Sequence, residues 1–368
     1  MSLEHIKDKV YNNIRLTVDD AIELFKSDDI FTIGELADWK NKQLNGDKVY
    51  FNINRHINPT NVCVFSKSCT FCSYSDSVND PRSYTMEMEE VLKEAEGMEA
   101  EGAKELHIVG GLHPKKPFEW YVDIIRTLKQ HHPDVHLKSW TAVEIDYFSR
   151  ITKKPYGEIF DIMIEAGMGS MPGGGAEIFD EGLRKKIAGK KVTSDNWIEV
   201  HRTAHQKGLN TNCTMLYGHI ESIEMRVDHM NRLRELQDET GGFNAFIPLA
   251  YHPEENELEI DTFTTGLEDL KVYAIARLFL DNFKHIKAYW IMITDKLAQV
   301  ALNFGVNDID GTVTRERIYH AAGAQTPQKI GVPDLIQLIH SAGKIAVERD
   351  TIYNEIKVWK PELAVSES

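Results

Sequence analysis

Cys63, Cys69 and Cys72 fall within ten residues of one another, in the run INRHINPTNVCVFSKSCTFCSYSD. The chain has one further cysteine, Cys213, so the cluster is not half of a disulfide framework. Thiolates are soft metal ligands, and three of them on a polar loop would be open to oxidation without a metal. Three protein ligands are one short of a closed tetrahedral zinc site; that reading needs a fourth, from Cys213 or His56. Three thiolates are also the number that holds a four-iron cluster while leaving one iron open. Cys213 lies within an apolar, strand-like run and reads as a core residue.

A loop of this kind needs a frame. Residues 1–46 read as short helices, one opened by capping-box-like spacing from Thr17 to Asp20. A strand-like run at about 49–58 leads into the cysteines. Further strands are predicted at 105–111, 136–145, 167–171, 209–218, 244–253, 285–294 and 307–312, with helical periodicity between them. Among the helices, 117–131 is one, a Thr265/Glu268 capping box opens another, and Gly241–Gly242 ends a third. About eight strands each followed by a helix is the order of a (β/α)8 barrel, an α/β fold of the TIM type. An open doubly wound sheet is the alternative arrangement. No low-complexity linker divides the chain, so the expected organisation is an N-terminal helical extension (1–46), a barrel (47–325), and a C-terminal helical extension with a polar tail (326–368).

In a parallel barrel the active site is built at the carboxyl ends of the strands. The unusual residues fall there: the cysteines, Gly110, Gly111 and His113, Thr141 and Glu144, Gly173 to Gly175 with Glu177, Tyr217 to Glu221, Tyr251 and His252, and Asp310 to Thr312. Each also has a bland reading. Glycine pairs supply backbone shapes that other residues do not reach, a loop histidine is solvated, and Glu144 or Glu177 caps the helix after it. Phosphate-loop, H-E-x-x-H and G-x-S-x-G motifs are absent.

A net charge of −15 in 368 residues argues against nucleic acid as a partner. No apolar run approaches the roughly 20 residues that span a bilayer, and the polar start MSLEHIKDKVYNN has no signal core. No membrane association and a cytoplasmic location are therefore expected, where reduced thiols are free to bind a metal or cluster.

These residues resemble the radical S-adenosylmethionine (radical SAM) superfamily. Its signature, C-x3-C-x2-C after the first strand, carries an aromatic before the third cysteine, and Phe71 stands there in this chain. The departure is the first gap, five residues in place of three, confined to Val64–Ser68. HINPTNVC, PGGGAEI, RVDHMNRLRELQDETGGFNAFIP and IDGT are similar to the futalosine-pathway and deazaflavin-synthase branch. HIVGGLHP, WTAVEID and LAYHPE are most similar to the aminofutalosine synthases of menaquinone biosynthesis.

The resemblance implies that Cys63, Cys69 and Cys72 hold a [4Fe-4S] cluster whose open iron takes SAM, with Phe71 beside it. It places Gly110 and Gly111 near the methionine amine, Glu177 near the ribose, Gly218 to Glu221 along the nucleoside, and Ile247 with Pro248 at the adenine. It also implies that SAM is a co-substrate, whose 5′-deoxyadenosyl radical adds to 3-[(1-carboxyvinyl)oxy]benzoate. Two carboxylates of this aromatic substrate need anchors, for which Arg55, His56, His113, His252 and Arg315 are the candidates, with Asn58, Thr141 and Thr312 as neutral donors. Glu144 is a proton acceptor or a SAM contact. An electron donor such as flavodoxin or ferredoxin is implied. The sister cyclase of the same pathway, or a deazaflavin synthase subunit, is the alternative within the superfamily, and a zinc-bearing barrel the alternative outside it.

Overall fold

The computed structural model describes residues 3–254, 256–260 and 263–361. The chain enters through three helices, Glu4–Tyr11, Val18–Lys26 and Ile30–Asn45. The second starts as its spacing predicts: the Asp20 N–H donates to the Thr17 hydroxyl at 3.2 Å, and the Asp20 carboxylate accepts the Thr17 N–H at 2.7 Å.

The strands follow as β1 (Lys48–Asn52), β2 (Asn54–Ile57), β3 (Glu105–Ile108), β4 (His136–Ser139), β5 (Met168–Ser170), β6 (Thr211–Tyr217), β7 (Phe243–Ala250), β8 (His285–Ile286) and β9 (Asp308–Gly311). β2 to β5 pair in sequence order, all parallel, and β6 to β8 do the same. Single parallel bridges join these sheets: Met171 to Thr211 links β5 to β6, and Lys287 to Asp308 links β8 to β9. β9 then returns to the start, pairing with β1 and reaching β2 through Thr314 and Arg55. The parallel strands β2 to β9 therefore close into the predicted barrel, with β1 as the N-terminal half of its first strand.

Two predicted strands are cut short by helices. The run 136–145 leaves the sheet after Ser139: Trp140 takes a left-handed φ of 53°, and Thr141 caps the helix Ala142–Thr152. Glu144 completes that cap, so the polar pair that reads as a strand end is a helix start. In 285–294 only His285 and Ile286 are strand, and Trp290–Ile293 is helical. At Thr265 the hydroxyl accepts the Glu268 N–H, while the Glu268 carboxylate pairs with Arg226 and does not close the box.

The C-terminal segment is not wholly helical. After the helix Val332–Ser341 come β10 (Ile345–Arg349) and β11 (Glu355–Trp359). β10 adds to β1 in parallel and β11 pairs antiparallel with β10. Arg349 on β10 is fully buried and donates to Asp308 of β9 at 2.6 Å, fastening this ribbon to the barrel. The predicted polar tail VSES lies outside the described residues. Among the described residues no helix is long and apolar enough to cross a membrane.

Candidate active site

The loop after β2 is pinned by backbone bonds: Cys63 N–H to Asp76 O (3.0 Å), Val64 N–H to Leu112 O (2.9 Å) and Thr70 N–H to Ile187 O (2.9 Å). The long gap is taken up locally. Ser66 N–H reaches Cys63 O at 3.1 Å, and Ser68 and Cys69 N–H both return to Phe65 O, at 2.8 and 3.0 Å. The extra residues thus coil into a turn, and Phe65 plugs into the core at 4% exposure. All three cysteines stay on the wall of one cavity of about 260 Å³ at the carboxyl ends of the strands. Phe65 N–H points at Cys63 Sγ, 3.5 Å away.

The glycines after β3 explain how the loop sits so deep. A side-chain carbon on Gly111 would stand 2.3 Å from the Val62 carbonyl oxygen, and one on Gly110 would stand 2.9 Å from that of Thr60. Gly111 N–H donates to Thr60 O at 2.7 Å. These glycines let the β3 loop lie directly against the cysteine loop, and both also line the cavity.

Burial pushes the Cys63 thiol up and the Cys69 thiol up to about 12. One cation stands beside them. Burial by itself would lower Lys191, but Cys69, Glu177 and Cys72 hold it above the ordinary lysine value. Its ammonium donates to Glu177 Oε1 at 2.8 Å and lies 4.9 Å from the Phe71 ring centre. Glu177 itself has a left-handed backbone, φ 46°, uncommon without a glycine and held here by the Leu216 N–H on its carbonyl at 2.8 Å.

Of the other predicted residues, His56, Thr141, Glu144 and Ile247 line the same cavity. Burial raises the Glu144 carboxyl against hydrogen bonds from Thr141 and the Gly110 backbone. His56 stacks on His107, ring centres 4.5 Å apart, and burial lowers both.

The remaining candidates do not reach the cavity. Arg55 neighbours the inward His56 and so points outward, donating to Glu94 O (3.0 Å) and Glu96 O (2.7 Å) and pairing with Glu101 at 2.7 Å. His113 turns back on its own loop, Nδ1 accepting from Lys115 N–H at 3.0 Å. His252 Nε2 bonds to the Met292 carbonyl at 3.0 Å. The Thr312 hydroxyl donates to Asn54 O at 2.9 Å and stitches β9 to the first strand. Glu221 accepts the N–H groups of Gly218 (2.6 Å) and His219 (2.9 Å) and pairs with Arg226, closing a loop on itself. Asn58 donates to Val109 O, the Pro248 carbonyl accepts from Tyr273, and Arg315 pairs with Glu94 on the surface. Cys213 is fully buried on β6, as a core residue.

The cavity also carries residues that sequence reasoning missed: His107, Lys138, Lys191, Lys287, Tyr289 and Tyr319. The available signal was a lysine inside each of the apolar strand runs HLKSW and HIKAYW.

The three thiols suit one cofactor type better than another. Among the described residues, no three His, Cys, Asp or Glu side chains converge closely enough to hold a single metal ion. An iron–sulfur cluster asks for a different spacing, since each thiolate binds its own iron and the sulfurs stand apart. Three soft donors on one cavity wall, beside a buried cation, fit that requirement.

Comparison with known proteins agrees. Residues 57–233 match the radical SAM superfamily, and residues 240–361 match the CofH/MqnC C-terminal region. The chain is 47% identical to aminodeoxyfutalosine synthase of Thermus thermophilus over 358 residues, 96% of each chain. It is 41% identical to 5-amino-6-(D-ribitylamino)uracil–L-tyrosine 4-hydroxyphenyl transferase of Methanothermobacter thermautotrophicus, over 85% of this chain and 86% of the relative. Among solved structures, methylornithine synthase shares the fold, with a TM-score of 0.72, 17% identity, and coverage of 92% of this chain and 96% of that one.

Proposed function

The chain belongs to the radical SAM superfamily, in the group of the aminodeoxyfutalosine synthases, and from that premise we propose that it joins the deoxyadenosyl part of SAM to 3-[(1-carboxyvinyl)oxy]benzoate. The product is 6-amino-6-deoxyfutalosine, with methionine and carbon dioxide released, a step of menaquinone biosynthesis. The observation that carries this reading is the convergence of Cys63, Cys69, Cys72, Glu144 and Glu177 on one cavity at the mouth of a closed parallel barrel.

Cys63, Cys69 and Cys72 would hold a [4Fe-4S] cluster, which supplies the electron that cleaves the carbon–sulfur bond of SAM. The chain's own residues bind, orient and exclude water. Lys191 offers positive charge beside the thiolates and holds one oxygen of Glu177 at the rim, where Glu177 presents its other oxygen to the ribose hydroxyls. Glu144 is held by the start of its helix and faces the same space as a fixed acceptor. Ile247 and Leu249 on β7 form an apolar side for the flat adenine or aryl ring. Phe65 and Tyr319, which also line the cavity, help keep water from a carbon radical. A small one-electron donor protein, flavodoxin or ferredoxin, would supply that electron.

The test is anaerobic reconstitution followed by incubation with dithionite, SAM and the enolpyruvyl benzoate. The expected products are the adduct and an equal amount of carbon dioxide. Free 5′-deoxyadenosine as the dominant product, with no adduct, would overturn the assignment in favour of a hydrogen-abstracting relative.

A further inference from the structure

Parallel barrels are ordinarily filled by branched apolar side chains. Here one wall of the interior, formed by β2, β3, β4, β8, β9 and the residues just after them, is polar: His56, His107, Lys138, Lys287, Tyr289 and Asp310 all line the cavity. Lys138 donates to Glu105 at 2.8 Å and Lys287 to Asp310 at 2.6 Å. Each ammonium has three donors, so neither is exhausted by its partner. Among the described residues, His56 Nε2 and the Tyr289 hydroxyl are buried with no hydrogen-bond partner. The carboxylate of Glu316, also on the cavity, is already occupied by the N–H groups of Ile318 and Tyr319 and by His320. The wall therefore holds unspent donors, at Tyr289 Oη, at His56 Nε2 in its Nε2–H tautomer and on the two ammoniums, beside the carboxylates of Asp310 and Glu105, whose Oε1 is itself unpartnered among the described residues. Unpaired buried donors are costly unless a ligand meets them.

We propose that this wall is the seat of the substrate's ring carboxylate, with Tyr289 Oη and His56 Nε2 donating to it and Lys287 and Lys138 sharing its charge. The assignment rests on the reaction proposed above, which sets the orientation. The vinyl carbon must meet C5′ of SAM at the cysteine rim, so the benzoate carboxylate, at the other end of the substrate, points into the strands. It replaces the sequence-based anchors Arg55, His113 and His252, whose side chains are engaged elsewhere.

Calorimetric titration of the full chain with 3-[(1-carboxyvinyl)oxy]benzoate and with 2-phenoxyacrylate, which lacks the ring carboxylate, tests this. The wild type is expected to prefer the benzoate about a hundredfold. Tyr289→Phe and His56→Phe should each reduce that preference about tenfold, the size of one hydrogen bond to a charged group, with 2-phenoxyacrylate bound as before. Tyr289→Phe should also melt no lower than the wild type, because its hydroxyl has no partner among the described residues. An unchanged preference in both variants, equal weakening of both ligands, or no preference in the wild type overturns the proposal. Adduct formation by the wild type separates the two levels: an adduct with an unchanged preference sinks the wall and leaves the reaction standing, whereas a wall that behaves as expected without any adduct sinks the reaction.

Discussion

Gly111→Ala tests whether the cysteine loop depends on contact with the β3 loop. The new methyl carbon would lie 2.3 Å from the Val62 carbonyl oxygen, 2.7 Å from its carbon and 3.0 Å from the Asn61 carbonyl carbon. All three are backbone atoms, so no side chain can swing aside. Relief needs a separation of about 1 Å, in a place clamped by Gly111 N–H on Thr60 O (2.7 Å) and Val64 N–H on Leu112 O (2.9 Å). Losing one or two such bonds costs about 1–2 kcal/mol, and overpacking adds about 1–3 kcal/mol, so about 2–5 kcal/mol is expected in total. Because that strain falls on the cysteine loop, iron bound per chain after anaerobic reconstitution should drop well below the wild-type value, alongside a lower urea midpoint. Gly157→Ala is the control. It lies in the helix Tyr156–Ala166 with its nearest contact, Lys207 Cε, at 3.6 Å, and should be neutral or stabilising by up to about 1 kcal/mol. If Gly111→Ala binds iron and unfolds as the wild type does, the close approach is not what holds the loop.

Three further expectations can be checked directly. Cys69→Ala should abolish iron binding and SAM cleavage, whereas Cys213→Ala, in the core of β6, should keep both and lose about 1–2 kcal/mol of stability in denaturant titration. Arg55→Gln should cost about 3 kcal/mol, since it strips the bonds to Glu94, Glu96 and Glu101, with the substrate KM unchanged; a raised KM at wild-type stability would return Arg55 to the site. Burial lowers His229 to about 3 and His136 and His205 to about 4. The unfolded chain takes up these protons near pH 6.5 and the folded chain does not, so stability is complete above pH 6.5 and falls as pH drops toward 4. The loss is about 1–2 kcal/mol per histidine by pH 5, and thermal melts of His229→Gln should show a shallower decline than the wild type.

Strand order, the cysteine loop and the glycines were legible because each is a local property. Apolar runs, turn residues and the spacing of three thiols are readable within about ten residues of chain. The boundaries that failed were local contests as well. Thr141 and Glu144 read equally as the end of a strand or the cap of a helix, and packing around Trp140 settled it for the helix. The C-terminal ribbon was missed because Ile345–Arg349 is a strand by virtue of the free edge of β1, nearly three hundred residues earlier.

The sequence alone determined the donor set at the mouth: three thiols in one loop, at the end of the first strand of a repeating β/α order. Only the tertiary structure decided what faces those thiols. In a parallel barrel both faces of each strand are buried, one by the interior and one by helices, so hydrophobic alternation does not reveal which side is in. Arg55 and His56 are neighbours of similar polarity, yet one anchors a helix end and the other lines the cavity. Lys138 and Lys287, 149 positions apart in sequence, share one wall because strand parity turns both inward and barrel closure brings β8 and β9 round to β2.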